Sequence, residues 1–198
     1  MRCSHGALPP TRHTDTMTRQ ALLVIDLQRG AFDGARCPVI AGPQSLIDNA
    51  VRLVSSARES RTPVVFIRHC ETEAGSPFEE GTAHGELHEA LQPQPGDTLL
   101  KKYASSAFEG TDLAATLQTL GASELVVCGL QSEFCVSNTT RSALALGFAV
   151  VVAQDGHGTW PSGGETAAAI SARANQALAA AGATLRSSAD LARSLRVA

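Results

Sequence analysis

At 198 residues the chain is long enough for one sizeable core and too short for two ordinary domains. Sixteen Lys and Arg against nineteen Asp and Glu leave a formal charge of −3 without a basic block, so nucleic-acid and anionic-membrane binding get no support. No apolar run approaches the roughly 20 residues that cross a bilayer.

Residues 1–18 are polar, contain Pro and Thr, and lack the apolar centre of a signal peptide. They are expected to form a disordered N-terminal extension ahead of a single domain over 19–198. Met17 stands just before the first strand and is a second candidate start, which would make the upstream stretch an artefact. The five cysteines (3, 37, 70, 128 and 135) are odd in number and form no CxxC pair. With no secretion signal, a reducing, cytoplasmic location is expected.

Gln20-Ala-Leu-Leu-Val-Ile-Asp26 is a continuous apolar run ending in a carboxylate, the pattern of a buried strand. After Gly42-Pro43, the apolar residues Leu46, Ile47, Ala50, Leu53, Val54 and Ala57 recur at helical spacing. Pro63–Arg68 predicts the second strand. Residues 70–95, rich in Gly, Pro, Glu and His, predict a long loop with one short helix near Leu87; loops of that length often carry function. Asp97–Lys102 is a weaker strand, and Gly110-Thr111-Asp112 caps a helix running to Leu120. Leu125–Cys128 is a further buried strand broken by Gly129, and Cys135 opens a helix to about Leu146. Phe148–Ala153, an Ala-rich helix over about 165–181, a short strand at 183–185 and a terminal helix complete the chain. Strands alternating with helices imply an α/β fold with a parallel sheet covered on both faces.

Three residues then stand at strand ends: Asp26 after the first, Lys102 at the third, and Cys135 beyond the fourth. Parallel strands place their C-terminal ends on one edge, where ligands bind in open sheets. A carboxylate can take a thiol proton, a thiolate can attack a carbonyl carbon, and an ammonium can steady the charge. A helix N-terminus beside Cys135 would favour thiolate over thiol, and backbone N–H groups between Gly129 and Cys135 offer an oxyanion site. Each residue also has a plainer reading. Strand-end Asp is commonly a turn residue, Lys101-Lys102 are two solvated charges, and a lone Cys is usually a small buried hydrophobe.

The wording of four blocks bears on that choice. Leu22-Leu-Val-Ile-Asp26-Leu-Gln-Arg-Gly-Ala-Phe32, Asp97–Lys102 with Ser106-Ala-Phe-Glu-Gly-Thr-Asp-Leu113, Val127–Val136 with Thr139, and Val151–Trp160 resemble, in order, blocks of the isochorismatase-like cysteine hydrolases. The resemblance covers about residues 20–180. It implies a three-layer α-β-α sandwich with a six-stranded parallel sheet of order 3-2-1-4-5-6, and assembly into a homo-oligomer. It implies a catalytic Asp–Lys–Cys set falling on Asp26, Lys102 and Cys135, with Lys102 chosen over Lys101 because it stands six before Phe108. It also implies a cis peptide at Leu130–Gln131, with the Gln131 and Cys135 N–H groups facing the oxyanion.

Nicotinamidase-type members carry an Asp-x-His metal site after the second strand, where this chain reads Arg68-His-Cys-Glu-Thr, so no metal and no cofactor are expected. Isochorismatases proper cleave a vinyl ether without a cysteine nucleophile, so Cys135 argues for an amide, ureide or related carbonyl substrate. Phe32, His69, Phe108, Phe134 and Trp160 are candidate pocket residues, each with ordinary packing as its plainer role. Cys128 reads as core, and Cys70 as incidental. The expected partner is thus a small-molecule substrate, with no nucleic acid and no membrane. Two other functions fit the same fold: a redox- or ligand-sensing protein with a reactive thiol, and a catalytically silent assembly subunit. Substrate identity is not written in these residues.

Overall fold

The first apolar run, Gln20–Ile25, forms strand β1 at the middle of a six-stranded sheet in the computed structural model, which describes residues 19–195. The expected N-terminal extension lies outside the described residues. The other strands are β2 (Val64–His69), β3 (Thr98–Lys102), β4 (Glu124–Leu130), β5 (Ala149–Gly158) and β6 (Thr184–Arg186). They run in the order β3-β2-β1-β4-β5-β6, and every neighbouring pair is parallel.

Side chains alternate between the two sheet faces, and both faces are apolar, as a parallel sheet between helices requires. Leu22, Val24, Phe66, Val126 and Cys128 pack with helices α1 (Pro43–Glu59) and α5 (Ser188–Leu195). Leu23, Ile25, Val65, Leu125 and Val127 pack against α2 (Leu113–Thr119), α3 (Ser137–Ala145) and α4 (Ala167–Ala180). Fully burying each such aliphatic side chain contributes about 1.5–3 kcal/mol. The three-layer α-β-α architecture and strand order match the sequence expectation. Among the described residues no helix is long and apolar enough to cross a membrane.

From β1 the chain builds outward through β2 and β3, then returns to the other side of β1 with β4. That reversal opens a crevice at the C-terminal ends of β1 and β4. The strands approach closely there. Gly129 faces Ile25 in the ladder with φ +130°, and a Cβ on it would lie 2.0 Å from the Ile25 carbonyl oxygen.

Several local expectations change. Leu87 is not helical: it bridges Gln28 in antiparallel fashion, between single 3-10 turns at Ala83–Gly85 and Glu89–Leu91. Cys135 does not open its helix. A π-type turn at Ser132–Val136 carries it, and α3 begins only at Ser137. β5 runs past Ala153 to Gly158, because the register against β4 shifts between Val127 and Gly129 and lets the strand resume. At α2 the Asp112 side chain makes no capping bond; the Thr111 hydroxyl takes the Leu113 N–H instead, at 3.2 Å.

Candidate active site

Asp26 follows the last residue of β1, in the left-handed region at φ +54°, where its N–H donates to the Ile67 carbonyl at 2.8 Å. That turn of the backbone leaves the carboxylate at the crevice while the strand stays paired. Lys102 ends β3, beyond β2, and its four-carbon stem brings the ammonium back across the end of β2. Both side chains are almost wholly buried, at 2% and 0% exposure. Lys102 Nζ sits 2.8 Å from Asp26 Oδ2 and donates to Cys135 Sγ at 3.1 Å. It also reaches the Ala104 carbonyl at 3.2 Å and His69 Nδ1 at 3.4 Å. Ser105 Oγ lies 3.8 Å from the same sulfur and is held by Asn138 Nδ2 at 2.8 Å. Three residues separated by 76 and 33 positions therefore meet at one ammonium.

The charges follow from burial. Desolvation raises the Asp26 pKa, while the Lys102 ammonium pulls it back. Burial pushes the Cys135 thiol up too, Asp26 adds to that rise, and Lys102 opposes it. This differs from the thiolate expected at a helix start: the resting sulfur is a thiol beside a carboxylate of enhanced basicity. His69 is held below its ordinary value, first by burial and then by Lys102, so it meets Lys102 as a neutral acceptor. Cys128 is pushed up to about 12 by burial alone, and burial also raises Cys70. What sets Cys135 apart from both is its hydrogen bond to the Lys102 ammonium.

A second polar set supports the turn that carries Cys135. Asn175 Nδ2 donates to the Gln154 carbonyl at 3.0 Å, leaving Oδ1 to accept from His157 Nε2–H at 2.8 Å. His157 Nδ1 then accepts from the Ser132 hydroxyl at 2.8 Å, and Ser171 Oγ lies 2.9 Å from that hydroxyl. Ser137 Oγ donates to the Ser132 carbonyl at 2.6 Å. Burial, at 6% exposure, holds the His157 pKa below 6.5. The folded state thus favours neutral His157. Its stabilising contribution is complete above the ordinary value of 6.5 and is lost as pH falls through the lower folded value. We expect the melting temperature to drop between pH 7 and pH 5, and His157→Gln to lessen that drop. An unchanged slope in the variant would remove His157 from this account.

Gln28 fastens the neighbouring loop. Its amide Nε2 donates to the carbonyls of His69 and Gly85, both at 2.8 Å, and its Oε1 accepts from His69 N–H at 2.8 Å. Beyond it, Arg29 N–H donates to Glu86 O and His88 N–H to Leu27 O, each at 2.9 Å. The loop folds back over the site, and the Phe78 ring centroid comes 6.3 Å from that of His69. Between the loop and the Cys135 turn lies a cleft of about 580 Å³, whose walls include Phe78, Gln131, Phe134 and Trp160.

Phe134 and Trp160 therefore border a cleft beside the turn that carries Cys135. Phe32 lies elsewhere, beside His88 in a separate cavity of about 410 Å³. Phe108 packs near Phe148 at 6.1 Å on the α2–α3 side. His69 touches Lys102. The Leu130–Gln131 peptide is cis. Gln28, Glu71, Phe78, Glu133 and His157 escaped the sequence reading. Only Gln28, two residues beyond Asp26 at a strand end, carried a positional signal. Among the described residues no group of three or more His, Cys, Asp or Glu side chains is arranged to hold a metal ion.

The family model described as the isochorismatase domain matches residues 20–190. An uncharacterized isochorismatase family protein of Bacillus subtilis, YddQ, is 35% identical over 136 residues, covering 68% of this chain and 75% of that one. A streptothricin hydrolase of Streptomyces noursei is 35% identical over 141 residues, 71% of this chain; the match spans only 50% of its own length. The solved structure of an isochorismatase from Pseudomonas putida KT2440 superposes with a TM-score of 0.78 at 28% identity, over 93% of both chains.

Proposed function

This chain belongs to the isochorismatase family, and from that premise we propose that it is a metal-independent cysteine hydrolase of small amides, ureides or related carbonyl compounds. The observation that carries the reading is the single ammonium, Lys102 Nζ, lying 2.8 Å from Asp26 Oδ2 and 3.1 Å from Cys135 Sγ. A buried carboxylate with a raised pKa is a stronger base, and it stands beside the proton it must take. The position after β2 reads Arg68-His69-Cys70 rather than Asp-x-His, which supports leaving metal out of the proposal.

In the proposed reaction Asp26 removes the Cys135 proton as the sulfur bonds to the substrate carbonyl carbon. The carbonyl π electrons move to oxygen, which the Gln131 and Cys135 N–H groups would receive. Collapse of that oxyanion breaks the C–N bond, and Asp26 returns its proton to the departing nitrogen. A thioester remains on Cys135. Water then gives a proton to Asp26, adds to the thioester carbon, and releases the acid as Cys135 regains its proton. Lys102 keeps its charge throughout and steadies first the carboxylate, then the sulfur. A sensor built on a reactive thiol calls for a sulfur held low, whereas burial and Asp26 hold this one high.

Intact-mass analysis of protein mixed with an amide and ureide panel tests the reading. An acyl adduct on Cys135 that disappears as acid accumulates is expected; hydrolysis without one rejects the covalent route. A second test concerns Lys102. Lys102→Met keeps the packed stem and removes the charge that lowers the thiol pKa. Iodoacetamide labelling of Cys135 at neutral pH is expected to slow about tenfold; an unchanged rate would uncouple the two residues.

A further inference from the structure

The cleft beside Cys135 has a one-sided chemistry. Its walls carry two carboxylates, Glu71 and Glu133, and three aromatic rings, Phe78, Phe134 and Trp160, with no Lys, Arg or His among them. Four of the loop's other glutamates are paired with a cation, while Glu73 is exposed to solvent. Glu79 pairs with Arg36 at 2.6 Å, Glu80 with Lys101 at 2.6 Å, Glu86 with Arg68, and Glu89 with Arg29 at 3.5 Å. Among the described residues neither Glu71 nor Glu133 has a cationic partner. Glu71 Oε2 accepts from the Phe78 N–H at 2.8 Å, and Glu133 Oε1 accepts from the Thr159 hydroxyl at 2.9 Å. Glu133 Oε2 is shielded from solvent and takes no hydrogen bond within the described residues. A carboxylate so placed is under-compensated.

The neighbouring thiol lies close enough to feel Glu71. Cys37, on the cleft wall, has its pKa raised by burial, Asp33 and Glu71. The rings add the negative faces of their π systems, which attract ammonium and guanidinium groups. Trp160 is fixed by its Nε1–H donating to the Pro38 carbonyl at 2.5 Å, so its face is presented without further ordering. The cleft also adjoins the turn that carries the reacting sulfur. Phe134 immediately precedes Cys135 and Gln131 opens the same turn, and Phe78 stands against His69, itself 3.4 Å from Lys102.

We propose that the cleft selects substrates in which a cationic group, an ammonium or guanidinium, lies on the acyl or leaving side of the scissile carbonyl, with Glu133, Glu71 and the facing rings supplying the counter-charge. The inference rests on the hydrolase reading, since it takes the cleft as the approach to Cys135. It goes beyond it by naming the charge of the substrate. A neutral amide of the same shape would leave both carboxylates uncompensated, and an anionic one would be repelled.

The test uses a matched pair: ε-aminocaproamide, charged at neutral pH, and heptanamide, in which a methyl replaces the ammonium. Calorimetric titration into the full-length Cys135→Ala protein reads binding apart from turnover. At low salt the charged amide is expected to bind at least about tenfold more tightly. That preference is expected to shrink several-fold in Glu133→Gln, to return in Glu133→Asp, and to shrink in Glu71→Gln, which lies on a different segment. Added salt should weaken only the charged amide. Equal binding, tighter binding of heptanamide, or no binding of the charged amide overturns the inference. Turnover by wild-type protein separates the two ideas. Equal cleavage of both amides leaves the hydrolase reading standing and removes the charge selection. Charge-selective binding to Cys135→Ala with no acyl adduct on wild type removes the hydrolase reading and keeps the cation site.

Discussion

Exchange of Cys135 for alanine is expected to lower amide turnover by about four orders of magnitude or more, with little change in melting temperature. The sulfur is the only nucleophile within reach of both Lys102 and Asp26 among the described residues, at 3.1 Å from the ammonium. Alanine keeps the backbone of the Ser132–Val136 turn, whose bonds run through Ser132 and Ser137 rather than through the thiol. The structural cost is then the loss of one half-buried sulfur, far smaller than the kinetic loss. Initial rates on any amide that the wild-type protein cleaves, set beside thermal melts, decide the point. Full turnover in the alanine variant would end the nucleophile assignment. Equal loss of turnover and fold would show the sulfur to be packing.

Gly129→Ala is expected to destabilise the protein by more than about 4 kcal/mol, a large fraction of the roughly 5–15 kcal/mol that holds a domain folded. Two costs coincide. A backbone at φ +130° is one that L side chains rarely adopt, and the new methyl would stand 2.0 Å from the Ile25 carbonyl oxygen. That oxygen belongs to the central strand, so it cannot move aside without breaking the ladder between β1 and β4. Gly147→Ala is the control: its φ is also positive, at +89°, but nothing lies within 4 Å of its added Cβ. Denaturant melts should show a much larger loss at 129 than at 147. Similar losses would mean that backbone conformation, not the close approach, sets the requirement.

The strands were legible because a parallel sheet buried on both faces writes itself as unbroken apolar runs, as in Leu22–Ile25 and Leu125–Cys128. The position of Asp26 followed, since it ends such a run; Lys102 ends the weaker, half-exposed strand β3, and only its spacing to Phe108 set it apart from Lys101. What periodicity could not carry was irregular backbone. The turn around Cys135 is π-type because Val136 N–H returns to the Gln131 carbonyl at 3.1 Å, a bond that no residue pattern announces. β5 was cut short for a related reason: Gln154 and Asp155 are exposed and polar, and the strand resumes past them only through the register shift. The cleft acids were hidden differently. Glu71 and Glu133 line a cleft while Glu79 and Glu80 pair with Arg36 and Lys101, a difference of space rather than of spacing.

Gln28 leaves a consequence for how such proteins diversify. Its amide pins His69 at one end of the loop and Gly85 at the other. The side chains of the intervening stretch, residues 71–84, are therefore open to recoding above fixed ends, while its backbone is held close to the site at Pro77, whose carbonyl oxygen lies 1.9 Å from where a Cβ on Gly30 would stand. Selection for a new substrate can act on that stretch and on the cleft wall opposite, Glu133, Phe134 and Trp160, while the three reacting groups stay in place.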